Sequence, residues 1–326
     1  MSNKFSKISA LWLLLLCGVP LLGQLTVGLS FNRSRYMRYE HIYACVTVRN
    51  DSGRPLLFGQ RPELQGFILF DIRDHRNHLV PRRENQEFSA QGLYIAPGEV
   101  KNIVVPLHKY YKLDKDGSYR IHAYVSHNRI PREYRSKDIL IKVSSGSAIW
   151  EKTVGLPSRT GDNMDELIER KYSISKVEGE RVKYYYLTVE DNGKIYAVTR
   201  LGMVLAHMRY DAQVDMLSRI HLLMPVGPRV YHYLAFNADG MNLENSYWKT
   251  SDTEPVLYRD PKTGHVIRIG GVPAKKGVDY ADPKSGTLTV SDLLEENNRK
   301  APAAPEASGV VDLGAGVLPV KSADED

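Results

Sequence analysis

Cysteine is scarce in this chain of 326 residues, which contains only Cys17 and Cys45. Cys17 lies in an apolar run that follows Lys4 and Lys7, and this layout is typical of a secretory signal peptide. Removal of residues 1–24 would leave one thiol, which cannot form an internal disulfide. Small disulfide-stapled secreted domains are therefore excluded, and an exported bacterial protein held by its core fits better.

Long apolar runs are missing after this N-terminal segment. No other stretch approaches the ~20 apolar residues that a membrane helix needs. An uncleaved anchor is the alternative to a cleaved signal, and Leu16 argues against a lipoprotein because a small residue is expected before the lipid-modified Cys17. We expect a periplasmic or cell-surface protein of a bacterium, with no transmembrane span after signal cleavage.

Catalytic motifs are also missing. The sequence has no Gly-x-Ser-x-Gly elbow, no His-Glu-x-x-His helix and no phosphate-binding loop. Cys45 alternates with polar neighbours and no paired His is evident nearby, so we predict a buried hydrophobe, with a catalytic thiol as the alternative. We assign no catalytic, cofactor-binding or metal-binding residue and no cofactor; enzymatic activity stays open, with a non-enzymatic role favoured.

Positive charge is concentrated in the first half of the chain. Residues 25–150 contain 20 Lys and Arg against 12 Asp and Glu, whereas residues 151–296 contain 19 against 21. This asymmetry predicts an anionic partner at the cell envelope: an anionic glycan, a lipid headgroup or an acidic protein. Nucleic acid is not expected, and a solvated basic surface is the alternative. The candidate contacts are Arg73, Arg76, Arg82 and Arg83.

The segment "DIRDHRNHLVPRR" has two competing interpretations. Its Asp71, Asp74, His75 and His78 are residue types that bind zinc. The same segment also reads as strand, polar tip and strand, and its arginines would repel a cation. We therefore predict a hairpin with "HRNH" at its tip.

Short segments in which apolar and polar residues alternate are abundant in this sequence. In "YRIHAYV", Ile121, Ala123 and Val125 face one side while polar residues face the other. The first half contains seven such segments separated by turn residues, which predicts an antiparallel sandwich.

The stretch "APGEV", an apolar strand, and "DKDGSYRIHAYV" resemble immunoglobulin-like domains of bacterial exported proteins. Pro97, Gly98 and Glu99 form the turn of that pattern, and Gly117 and Tyr119 open its later strand. The resemblance implies that Tyr119 buttresses the corner between two sheets. The disulfide and buried Trp of antibody domains are missing, so the resemblance is to the fold class and implies no chemistry.

The second half again reads as short strands and tight turns, after a Ser- and Gly-rich stretch that predicts a linker. "DNMDELIERKY" places acids first and bases last, as in a short helix. The predicted fold is mainly β. Its parts are a signal peptide (1–24), an immunoglobulin-like antiparallel β-sandwich (25–148), a linker with a short helix (149–170), a second mainly-β domain (171–296) and a disordered tail (297–326).

Tyrosines are frequent in the second half, where aromatic faces stack on sugars or simply pack in a sheet. The candidate ligand contacts are Tyr184, Tyr186, Tyr231 and Tyr233. We expect an exported, non-enzymatic structural or binding protein of the bacterial envelope. The alternatives are an extracytoplasmic carbohydrate-active enzyme or carbohydrate-binding module, and an inhibitor or assembly partner with an exposed edge strand.

Overall fold

A computed structural model of the protein describes residues 24–83, 88–157 and 167–281. The described chain is mainly β, as predicted, with several antiparallel sheets and one α-helical turn. Almost all of the predicted signal peptide, and the whole of the predicted tail, lie outside the described residues. Within the described ranges, no helix has the length and apolar character that crossing a bilayer requires.

The strands before Ser147 form the first β unit. Its strands are β1 (Leu25–Phe31), β2 (Arg35–Met37), β3 (Tyr43–Asn50), β4 (Leu56–Leu57), β5 (Gly66–Arg73), β6 (Tyr94–Ile95), β7 (Val100–Pro106), β8 (Gly117–His127), β9 (Tyr134–Arg135) and β10 (Ile139–Ser144). A 3-10 turn (Pro62–Leu64) follows β4, and a short helix α1 (Leu107–Tyr110) follows β7.

Two main sheets of the first β unit share one core. One runs β1-β3-β7, and the other runs β2-β10-β8-β5, with β9 paired to β8. The period-two pattern decides which side chains are inside: Val46 and Val48 of β3 belong to the same buried cluster as Ile121 and Ala123 of β8. This arrangement is compatible with a β-sandwich. Cys45, which lies on β3, is 1% exposed.

The predicted Pro-Gly-Glu turn is present between β6 and β7. Gly98 has a φ of 77°, a left-handed conformation that favours glycine. Its N–H donates to the carbonyl of Asn50 at 2.7 Å, and the N–H of Glu99 donates to the carbonyl of Ala96 at 3.1 Å. The turn therefore aligns β7 beside β3.

The strands from Ser147 onward form the second β unit. Its strands are β11 (Ser147–Pro157), β12 (Leu167–Glu178), β13 (Lys183–Glu190), β14 (Ile195–Met203), β15 (Asp211–Val214), β16 (Ile220–Gly227), β17 (Val230–Phe236), β18 (Asn242–Lys249), β19 (Val256–Arg259), β20 (Val266–Ile269) and β21 (Val272–Pro273).

The second β unit contains two antiparallel sheets packed against each other. One runs β11-β12-β13-β14, and the other runs β15-β16-β17-β18-β21. Leu187 and Val189 of the first sheet lie in one buried cluster with Leu222 and Leu234 of the second. β17 is buried along its whole length, because the β19–β20 hairpin packs on its other face.

The predicted linker and short helix over 149–170 were wrong in the described part of that range. Ser147–Pro157 is a strand, and it pairs with Leu167–Glu178, which includes much of the predicted helix. Ser and Gly content suggested a linker, but the polar residues of these strands alternate with apolar ones that pack. Trp150 and Val154 pack against the second unit's core. Residues 158–166 lie outside the described residues.

Candidate functional site

A groove of about 820 Å³ lies between strands of the second β unit and the start of the first. It is bordered by β14, by the inner faces of β17 and β18, by the β12–β13 turn, and by Asn32, Arg33 and Arg35 of the first β unit. Its volume lies in the range of about 300–1,000 Å³ typical of ligand pockets. The main apolar lining residues are Val177, Leu201, Leu205, Val226, Leu234 and Phe236.

A buried ion pair lies where the two β units meet. Arg33 Nη2 contacts Glu40 Oε1 at 2.7 Å, and Arg33 Nη1 donates to the hydroxyl of Tyr186 at 3.0 Å. The side chains of Arg33 and Glu40 are 16% and 9% exposed. Burial disfavours the charged form of Arg33, but Glu40 outweighs this and holds the guanidinium pKa above its usual value. Arg33 is therefore a fixed positive charge.

The Nε atom of Arg33 is buried and has no hydrogen-bond partner among the described residues. A buried donor without a partner costs free energy. Because Nη1 and Nη2 are bonded to Tyr186 and Glu40 and Nε is enclosed by protein, Arg33 contributes a fixed positive charge beside the groove.

The first β unit also reaches the β12–β13 turn. The N–H and hydroxyl of Ser34 donate to Glu180 at 2.9 and 2.6 Å. These hydrogen bonds lower the pKa of Glu180, with help from Arg181 and Arg35. Nearby, Met37 packs with Val177 and Tyr186 in a small apolar cluster. The contacts fix residues 32–35 beside the groove.

Three further guanidinium groups line the groove. Among the described residues, no carboxylate lies within 4.0 Å of Arg35, Arg181 or Arg200, although carboxylates pair with many other basic side chains of the chain. Arg200 and Tyr186 occupy paired positions on β14 and β13 and so face the same side of the sheet. The guanidinium of Arg200 stacks 3.4 Å from the ring centre of Tyr184.

An aromatic stack forms the opposite wall. The rings of His232 and Tyr247 lie parallel at 4.2 Å, and Tyr247 stacks on Tyr280 at 4.0 Å. Nε2 of His232 and Oδ1 of Asn245 are 2.6 Å apart. Burial lowers the pKa of His232, so the ring is neutral at neutral pH. This wall is polarizable and uncharged.

The predicted basic contacts lie on the first β unit, away from the groove. Arg73 pairs with Asp71 at 3.0 Å, and Arg83 Nε donates to the carbonyl of His108 at 3.0 Å. Arg82 lies over the ring of Tyr111. Arg76 lies at the tip of the β5 hairpin, which is closed by the antiparallel bridge between Arg73 and Leu79. Three of the four arginines thus make contacts within the protein, and their role in partner binding stays a prediction.

The four predicted tyrosines do not share one surface. Tyr184 and Tyr186 line the groove, whereas Tyr231 and Tyr233 are on the other face of β17, at 9% and 4% exposure. The alternation of β17 correctly places Tyr231 and Tyr233 together. It does not reveal that the β19–β20 hairpin covers them, so the structure does not offer these two as ligand contacts.

The segment that suggested zinc is a hairpin, as predicted. The N–H of Asp74 donates to the carbonyl of His78 at 3.0 Å, and Asp74 Oδ1 accepts from the backbone of Arg76 and His78. Asp71 is occupied by Arg73. No group of three metal-binding side chains occurs within the part of the chain that the structure describes.

A second polar cluster lies under the β19–β20 hairpin. His221 Nδ1 is 2.8 Å from the hydroxyl of Tyr233, and its Nε2 is 3.3 Å from Oδ2 of Asp215. Arg219 also pairs with Asp215, at 2.6 Å. Asp215, His221 and Tyr233 are each 4% exposed, so this network has no access for a substrate. It stabilises the turn between β15 and β16.

Sequence reasoning missed most groove residues, including Arg33, Arg200, His232 and Tyr247. One available signal was Arg200, a charged residue within the apolar strand segment "AVTRLG". A second was the pair of arginines in "FNRSRY" between two strands. Comparison of the chain with protein-family models, with curated proteins and with solved structures found no match in any of the three.

Proposed function

We propose that this protein is an exported, non-enzymatic binding protein of the bacterial envelope, and that the groove holds an anionic ligand. One observation carries the proposal: Arg35, Arg181 and Arg200 line a single groove without an ion-pair partner among the described residues. Guanidinium groups bind carboxylates, phosphates and sulfates strongly where water is partly excluded. Export is supported by the N-terminal sequence, with Lys4 and Lys7 before an apolar run.

The arrangement of carboxylates favours binding over glycoside hydrolysis. Hydrolysis uses two carboxyl groups that face each other across the scissile bond. The groove's two carboxylates, Glu178 and Glu180, belong to one turn. Lys183 pairs with Glu178 at 2.6 Å, and Ser34 holds Glu180.

An immunoglobulin-like first β unit is part of the proposal. Its support is the shared core of two sheets and the hydroxyl of Tyr119, which donates to the carbonyl of Lys115 at 2.7 Å. A corner tyrosine of such sandwiches bonds backbone a few residues upstream in the same way. In this scheme the first unit supplies Arg33 and Arg35 to the groove.

Carbohydrate binding stays the alternative. Sugar recognition uses flat, open aromatic faces, but Arg200 covers a face of Tyr184, and His232, Tyr247 and Tyr280 stack on one another. These contacts leave less aromatic surface for a sugar ring. The arginines of the groove therefore favour an anionic ligand over a neutral sugar.

Anilinonaphthalene sulfonate, an aromatic anion, tests the proposal. We expect saturable fluorescence enhancement that weakens with salt and about tenfold weaker binding in Arg200→Gln, since one charged contact contributes about 1.5–3 kcal/mol at most. Arg200→Lys should recover much of the affinity. Lys262→Gln, which removes an exposed charge in the β19–β20 turn, is the matched control. Equal binding by Arg200→Gln and Lys262→Gln would refute the proposal.

A further inference from the structure

The outer edge of β14 opens into the groove. β14 pairs with β13 on one side and with no other described strand. The β17–β18 turn packs on the face of its first half, since a Cβ on Gly240 would collide with the side chain of Ala197. Its second half, residues 199–203, lines the groove at five consecutive positions. A cavity that touches side chains of both faces runs along the strand's backbone edge.

The facing border is the inner face of β17 and β18. Asn242, Asn245 and Tyr247 line the groove, and so do their partners on β17, which are Phe236, Leu234 and His232. The groove therefore lies between the free edge of β14 and the inner face of the facing sheet, within the described residues. Unpaired strand edges carry rows of N–H and C=O groups that pair with any extended chain offered to them.

Gly202 lies at a β-bulge of β14, since the register with β13 shifts between Tyr185 and Tyr186. No atom lies within 4 Å of the position that a Cβ on Gly202 would occupy, so the face of the strand is open there. Glycine inside a strand often marks a bulge or a close approach by another backbone. Residues 199–203 span at most about 16 Å at the usual rise per residue, so an added strand would pair with the backbone on either side of the bulge.

We propose that the groove binds an extended acidic peptide, which adds as a strand to the outer edge of β14. This inference rests on the proposed function and names its ligand class. Backbone hydrogen bonds to residues 199–203 supply register, and alternate side chains supply selectivity. Side chains on one face of the added strand meet Arg200 and its neighbouring guanidiniums, and those on the other face meet Leu234 and Phe236.

The charge of the groove selects an acidic peptide over a neutral one. Its lining includes four arginines and two glutamates. Lys183 pairs with Glu178, whereas Glu180 accepts from Ser34 and stays charged, so the arginines still outnumber the glutamates. Carboxylates at alternate positions of a peptide strand would lie about two residue rises apart, which suits guanidiniums spread along one wall.

The test uses a capped peptide alternating valine and glutamate, added to the whole protein with anilinonaphthalene sulfonate bound. We expect the peptide to displace the dye, and the glutamine version to displace it poorly. In an added strand, every second backbone N–H points toward β14 and the others point away. Methylating the nitrogens that point toward β14 should weaken binding about tenfold, because those donors are lost. Methylating the nitrogens that point away should have a small effect. Arg200→Gln should weaken binding of the acidic peptide, and Lys262→Gln should not.

Three results would overturn the inference. Equal displacement by both methylated peptides would exclude strand addition, and equal displacement by the glutamine peptide would exclude acidic selectivity. If the dye depends on Arg200 but no peptide displaces it, the peptide is the wrong ligand class while the anion site stands. If Arg200→Gln leaves the affinity for the dye unchanged, the proposed function itself is refuted.

Discussion

Glu40 is the carboxylate on which contacts from both β units converge. It pairs with Arg33, and it lies 3.3 Å from the hydroxyl of Tyr186. Its Oε2 also accepts the N–H of Met37 at 2.9 Å. A buried pair of this kind contributes little relative to apolar residues, but breaking it is costly because the remaining charge stays buried.

Glu40→Gln should therefore lower the free energy of unfolding by about 3 kcal/mol. The measurement is urea denaturation at neutral pH. Glu151→Gln removes one partner of the exposed Lys171–Glu151 pair, whose side chains are 39% and 49% exposed, and is the control. That change should cost less than about 1 kcal/mol. Similar losses in the two variants would contradict the importance of the buried pair.

His108 supplies a pH dependence. Its ring stacks on that of His41 at 4.2 Å. Burial, together with the neighbouring His41, lowers the pKa of His108 to about 4. The unfolded chain has a histidine pKa of about 6.5, so below that pH the unfolded state binds the proton that the folded state refuses.

Stability should therefore be complete above pH ~6.5 and fall as the pH drops toward ~4. Because His108 is only partly buried, solvent screening reduces the effect, and we expect this residue to contribute about 1 kcal/mol to the decline. His108→Gln should flatten the unfolding curve across this window, measured by urea midpoints at several pH values. His75→Gln, at the exposed hairpin tip, should leave the curve unchanged. Identical curves for the unmodified protein, His108→Gln and His75→Gln would contradict the role of His108.

The β19–β20 hairpin shows how an amphipathic element covers a sheet. Leu257 is 7% exposed and packs over Tyr231 and Tyr233. Ile267, on the facing strand, pairs with Tyr258 and is 51% exposed. One face of the hairpin therefore completes a core, and the other faces outward.

Leu257→Ala should lower the free energy of unfolding by about 2–3 kcal/mol, because it creates a cavity over β17. Ile267→Ala removes a similar side chain from the exposed face of the same hairpin. Its cost should be below about 1 kcal/mol. Thermal and urea denaturation of both variants measure the difference. Equal costs would mean that the hairpin does not seal this core.

Most strands were predictable from the sequence, but polar strands without a clear alternation were not. Period-two alternation located segments such as β1, β8 and β14 to within a residue or two. β18 was missed because "NLENSYWK" is polar and exposed on both faces in its first half. β11 was missed because its Ser and Gly residues suggested a linker. Such strands are stabilised by the sheet that they join, which the local sequence pattern does not show.

The candidate site was less predictable, because it depends on the whole molecule. The groove combines Arg33 from one β unit with Arg200 and His232 from the other. Local patterns state which side chains share a face, but not which face another sheet covers. The predicted domain limits likewise stay a prediction, since hydrogen bonds such as Ser34 to Glu180 connect the two units closely.

Amide hydrogen exchange of the whole protein, with and without the acidic peptide, tests the central claim most directly. We expect slower exchange in residues 199–203 of β14, because backbone donors that bond to the peptide are protected. The β5 hairpin carrying Arg73 and Arg76 should exchange as before. Protection confined to that hairpin, or to no segment at all, would contradict the assignment of the groove as the ligand site.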